Sequence, residues 1–87
     1  MTKQASQKKA QNIILYRTET CPWCHKTAEF LKKNNVTFTS IDVGQHPEAG
    51  EDMVKKSGQR GVPVIDIGGK IIVGYDEPAL KKALHLS

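Results

Sequence analysis

Cys21 and Cys24 are the residues of this chain best suited to chemistry: two thiols separated only by Pro22 and Trp23, one helical turn apart. A pair at this spacing can close a small disulfide ring with little backbone movement, and so can trade its electrons with another disulfide. The run before it, Ile13-Ile14-Leu15-Tyr16, reads as a buried strand. The run after it, from Pro22, reads as a helix with proline in its first turn, where a missing N–H costs nothing. Cys21 then stands beside the unpaired N–H groups and positive dipole end of a helix, which favour a thiolate.

Other uses of a cysteine pair fit less well. Two small buried hydrophobes would not be expected around Pro-Trp at a helix start. A zinc centre needs two more ligands, and His25, His46 and His85 stand at unhelpful spacings, so no metal site is expected. Cys21-Pro22-Trp23-Cys24-His25 matches the pattern of c-type haem attachment. Haem attachment, however, takes place outside the cytoplasm, and no export signal is legible here. The same reasoning weighs against a structural disulfide of a secreted domain, and the expected location is cytoplasmic. Redox exchange is the strongest reading.

Eighty-seven residues allow one small domain. A hydrophobic content of 38% fits a soluble globular chain, and no apolar run approaches the roughly 20 residues of a membrane span. The net charge of +4 is concentrated at the start, where Lys3, Lys8 and Lys9 stand with no acid in residues 1–12. Residues 1–11 therefore read as a disordered basic tail, and residues 12–87 as the domain. The domain is nearly neutral with mixed charges, so neither nucleic acid nor membrane is an expected partner.

The rest of the chain must position the thiols. Strands are predicted over 13–17, 37–43, 63–67 and 70–73, and helices over 22–34, 46–58 and 77–85. Asn34-Asn35 suits the end of the first helix, and Gly58 the end of the second. Gly68-Gly69 between two apolar runs signals a tight hairpin. A βαβ unit followed by a ββα unit, with a right-handed crossover, makes a four-stranded mixed sheet flanked by three helices, the α/β thioredoxin fold.

At this point the residues resemble the glutaredoxins. Cys21-Pro22-Trp23-Cys24 is one aromatic swap from the Cys-Pro-Tyr-Cys of dithiol members. Val62-Pro63 stands where that family has its cis-proline dipeptide, and Gly74-Tyr75-Asp76 resembles the turn that holds the γ-glutamyl end of glutathione. The resemblance covers about residues 12–86. It implies a thiol–disulfide oxidoreductase that reduces protein disulfides or glutathione mixed disulfides, with no bound cofactor and glutathione as co-substrate. Cys21 would be the nucleophile and Cys24 the resolving thiol. Trp23, Arg60, Val62, Pro63, Gly74, Tyr75 and Asp76 would line the substrate site, in a monomer served by glutathione or a flavoprotein disulfide reductase.

The departures bear on substrate. The lysine common three residues before the first cysteine is Thr18 here, with Arg17 before it and Glu19 after it. The threonine usual before Val-Pro is Gly61, and Asp76-Glu77 is a more acidic version of the family's polar pair. Arg60 is then the best remaining clamp for a carboxylate, since a guanidinium fork suits that geometry. NrdH-type redoxins, which take electrons from thioredoxin reductase and serve ribonucleotide reductase, are the alternative, although Val73-Gly74-Tyr75-Asp76 differs from their usual turn. An iron–sulfur cluster module is disfavoured by Pro22, and a buried aspartate of the thioredoxin type is replaced by Leu15.

Overall fold

The computed structural model describes residues 12–85; the expected basic tail, residues 1–11, lies outside them. Strand β1 is Ile13–Arg17, helix α1 Pro22–Lys33, strand β2 Thr39–Asp42 and helix α2 Pro47–Ser57. Strands β3 (Val64–Ile67) and β4 (Lys70–Val73) form the hairpin, and helix α3 is Glu77–Ala83. The sheet order is β2-β1-β3-β4. β1 pairs in parallel with β2 and antiparallel with β3, and β3 is antiparallel to β4. This is the mixed four-stranded thioredoxin architecture expected from the order of elements.

Alternation along β1 divides the core. Ile13 and Leu15 face one side of the sheet with Ile65, Ile67 and Ile72, where Phe30 and Leu31 of α1 and Leu80 and Ala83 of α3 cover them. Tyr16 and Val64 belong to the other side, packed with Met53 of α2. Strand β1 is therefore covered on both faces, and Cys21 follows it after a short turn in which the Cys21 amide meets the Thr18 carbonyl at 3.5 Å.

Local chemistry sets the boundaries. Asn34 ends α1, its side chain donating to the Phe30 carbonyl at 2.8 Å, and Asn35 takes the left-handed conformation at φ 59°. The chain then turns back, with the Val36 amide on the Leu31 carbonyl at 2.9 Å, so β2 begins at Thr39 rather than 37. Gly58 closes α2 with φ 76°, where a side chain would be strained, and its amide meets the Val54 carbonyl at 2.7 Å. Helix α3 stops at Ala83, shorter than expected, with His85 left-handed at φ 60°. No helix among the described residues is long and apolar enough to cross a membrane.

Candidate functional site

Cys21 is the residue that caps α1. Its backbone is extended (φ −90°, ψ 112°) and its Sγ accepts a hydrogen bond from the Cys24 amide at 3.2 Å. The first-turn amide that the helix leaves unpaired is thus aimed at this sulfur, where it stabilises negative charge. Pro22 follows at the first helical position, as expected. Both thiols are free.

The two sulfurs differ in access. Cys21 is half-buried at the helix end, whereas Cys24, one turn in, is fully buried. Burial pushes the Cys24 thiol up to about 12, helped by the hydrogen bond and charge of Cys21 beside it. The Thr18 backbone and the Arg17 guanidinium act in the opposite direction with smaller effect.

The Val62-Pro63 peptide is cis. It brings the Val62 carbonyl to 4.0 Å from Cys21 Sγ across 41 residues of sequence. The Pro63 carbonyl accepts from the Gly74 amide at 2.8 Å, so the Gly74 turn is tied to the proline loop whose Val62 faces Cys21. Gly74 sits at φ 81°, a conformation that other residues rarely adopt.

The loop before the proline is braced by Gln59. Its side-chain amide donates to the Gly61 carbonyl at 3.0 Å, while its oxygen accepts from the Gly61 amide at 2.7 Å. A Cβ at position 61 would meet that oxygen at 2.8 Å. Any larger residue at position 61 would have to displace the end of the Gln59 side chain. The sequence reading did not single out Gln59; its bracing role lies in a side-chain contact with the backbone of Gly61 that a motif comparison does not reveal.

The remaining expected residues divide. Trp23 is 55% exposed beside the thiols and stacks on Tyr75, ring centroids 5.9 Å apart at 23°. Tyr75 in turn meets Phe30 edge-on at 6.0 Å, so its ring is spent supporting Trp23. Burial, then Glu77, holds the Tyr75 hydroxyl above its ordinary pKa. Asp76 caps α3, its carboxylate accepting from the Ala79 amide at 3.2 Å. Arg60 is exposed on the loop between α2 and β3. The structure therefore unites Cys21, Cys24, Val62, Pro63 and Gly74 by contact, joins Trp23 to Tyr75, and leaves Arg60 on the surface.

One feature near the thiols lacked a sequence signal. His25, which completes the haem-like pattern, has its Nε2 at 2.8 Å from the Glu19 carbonyl. It thereby ties α1 to the turn that precedes Cys21.

The comparisons with known proteins agree with this geometry. The glutaredoxin family model matches residues 13–72. The chain is 44% identical over 73 residues to a glutaredoxin-like 8.6 kDa protein of the rubredoxin operon of Clostridium pasteurianum, covering 84% of this chain and 97% of that one. It is 35% identical over 66 residues to glutaredoxin 3 of Escherichia coli K12, covering 76% of this chain and 80% of that one. Among solved structures, the glutaredoxin-like NrdH-redoxin of Escherichia coli matches with a TM-score of 0.74 at 29% identity, covering 87% of this chain and 97% of that one. With both thiols and the cis-proline inside the matched span, the chain belongs to the glutaredoxin family of the thioredoxin superfamily.

Proposed function

We propose that this protein is a dithiol reductant of protein disulfides or glutathione mixed disulfides, with Cys21 as nucleophile and Cys24 as resolving thiol. Thiol–disulfide exchange is the general chemistry of its family. The observation that carries the assignment of roles is the asymmetry of the pair: Cys21 is reachable and receives a helix amide, while Cys24 is buried and holds its proton.

In the first step the Cys21 thiolate attacks one sulfur of the substrate disulfide. A Cys21–substrate bond forms, the substrate S–S bond breaks, and the other sulfur leaves as a thiolate that takes a proton. Forming this mixed disulfide removes the negative charge and the accepting sulfur that help to raise Cys24. Cys24 then gives up its proton more readily and attacks Cys21 Sγ. The substrate's second sulfur departs, leaving substrate reduced by two electrons and a Cys21–Cys24 disulfide. Val62, at the cis-proline, offers its backbone to an extended substrate segment beside the sulfur.

Glutathione is the favoured donor for returning the disulfide to the dithiol. Arg60 would meet its glycyl carboxylate, and the Gly74 turn with Asp76 its γ-glutamyl end; Thr18 leaves one cation missing from that set. A specific observation also favours a second reading, a flavoprotein reductase as donor: the similarity to NrdH-redoxin, whose solved structure is described by a thioredoxin-like activity profile. The deciding experiment is regeneration of the oxidised protein. Glutathione with its reductase and NADPH is expected to restore the thiols faster than thioredoxin reductase with NADPH, and the reverse order selects the second reading. Failure of both, with no small disulfide reduced by the dithiol form, overturns the redox assignment.

A further inference from the structure

Helices α1 and α3 leave a groove between them that begins at Trp23, the residue before Cys24, and runs along α1 to Asn34. Its volume is about 810 Å³, and Trp23, Phe30 and Tyr75 line it together with charged side chains of both helices. The aromatic part is continuous, Trp23 stacked on Tyr75 and Tyr75 set against Phe30. Trp23 is a large exposed hydrophobe with Lys26 over its ring at 5.8 Å. An exposed indole of this kind, backed by Tyr75 and next in sequence to the buried thiol, suits a partner chain better than solvent.

The charges on the rim are unequal. Lys26, Lys32 and Lys33 line the groove against Glu29, while Lys81 is already paired with Glu77 at 3.3 Å. Three lysines therefore face one carboxylate along α1, Glu29, which has no ion pair among the described residues. The domain as a whole is nearly neutral, so this excess is local. Residues 1–11 carry three lysines and no acid, and so have the same sign as the rim and cannot complement it.

Resting on the reading of Cys21 as a nucleophile toward protein disulfides, we propose that this groove docks an acidic, extended segment of the protein whose disulfide is reduced. An apolar side chain of that segment lies on the Trp23–Tyr75 face, and its carboxylates meet the lysines of α1. Complementarity of this sort steers encounter and selects partners. The two aromatic rings reach the site from residues more than fifty positions apart, so the surface exists only in the folded dithiol domain.

Trp23 is the chain's single tryptophan, which makes its emission a direct reporter. The probes are two synthetic peptides with one leucine and a serine in place of the cysteine, one rich in aspartate and glutamate, the other in lysine. The acidic peptide is expected to shift Trp23 emission saturably and to weaken as salt rises from about 0.1 to about 1 M, where the screening length falls from about 10 to about 3 Å. The double variant Lys32→Gln/Lys33→Gln is expected to raise its dissociation constant about three- to tenfold, the range for a few exposed charge contacts. The same variant should reduce hydroxyethyl disulfide, which carries no flanking segment, at the rate of the unaltered protein.

Equal binding of the two peptides, or unchanged affinity in the double variant, overturns the docking surface alone. Displacement of the acidic peptide from Trp23 by a short single-stranded oligonucleotide of higher affinity overturns it in favour of a nucleic acid. If the unaltered protein fails to reduce hydroxyethyl disulfide, the redox reading falls and the inference falls with it.

Discussion

Lys56 Nζ lies 2.8 Å from Asp66 Oδ2 and 2.8 Å from the Tyr16 hydroxyl, bridging the last turn of α2 to two central strands of the sheet. Asp66 is buried, and its other oxygen accepts from the Gly69 amide at 2.8 Å in the β3–β4 turn. One cation thus ties together a helix, two strands and a hairpin. It also fixes the end of α2 from which the loop to Val62-Pro63 departs.

Replacing Lys56 by methionine leaves the Asp66 carboxylate buried without its cation. The expected loss is about 1–3 kcal/mol of unfolding free energy, kept below the cost of breaking a fully buried pair because Lys56 is partly solvated. Lys56→Met/Asp66→Leu should lose less than the sum of the two single changes, since the stranded charge is gone. Urea unfolding of the three variants checks this, and strict additivity would refute the pairing.

Stability should decline on the alkaline side. The Asp66 and Tyr16 hydrogen bonds raise the Lys56 ammonium above the ordinary lysine value, and burial raises Cys24 to about 12. In both cases the folded chain keeps a proton that the unfolded chain loses first. The unfolded state therefore binds fewer protons once pH passes the ordinary cysteine value near about 8.5 and then the lysine value near about 10.4. These contributions are complete below those values and are lost as pH rises through the folded ones. Thermal midpoints of the reduced protein should fall from about pH 9 upward. Cys24→Ala should flatten the first part of that fall, and Lys56→Met/Asp66→Leu the second.

Cys21→Ser should abolish turnover on every disulfide substrate. Cys24→Ser should instead accumulate the mixed disulfide on Cys21, visible as an added substrate mass, and keep activity toward glutathione mixed disulfides that need no resolving thiol. With limiting iodoacetamide near neutral pH, peptide mapping should find the label on Cys21, because Cys24 is buried and protonated. Labelling of Cys24 first would reverse the roles.

Glutathione recognition should depend on Arg60 and gain from a restored cation. Arg60→Ala is expected to raise KM for a glutathione mixed disulfide about three- to tenfold, a range suited to an exposed ion contact. Thr18→Lys should lower it by a comparable factor, with kcat little changed in both. Indifference to both substitutions would remove glutathione as the ligand and leave the flavoprotein donor.

The sequence alone determined the elements and the chemistry they carry. A dithiol between an apolar run and a proline-started helix, Gly58 at a helix end and Gly68-Gly69 between two strands are all signals read within a few residues, and local backbone physics enforces each of them. The order of those elements was then enough to specify the mixed sheet. Asp66 also stood in plain view inside the apolar run of β3, but its partner did not. Lys56 is ten residues away and Tyr16 fifty, and they converge on it only because the sheet order sets β1 beside β3 under α2. The same holds at the site. Val62 reaches Cys21 across 41 residues, and Tyr75 reaches Trp23 from the far side of the hairpin. Local rules cannot specify contacts of that separation; they arise from which strand lies next to which, and that was decided by burying both faces of one sheet.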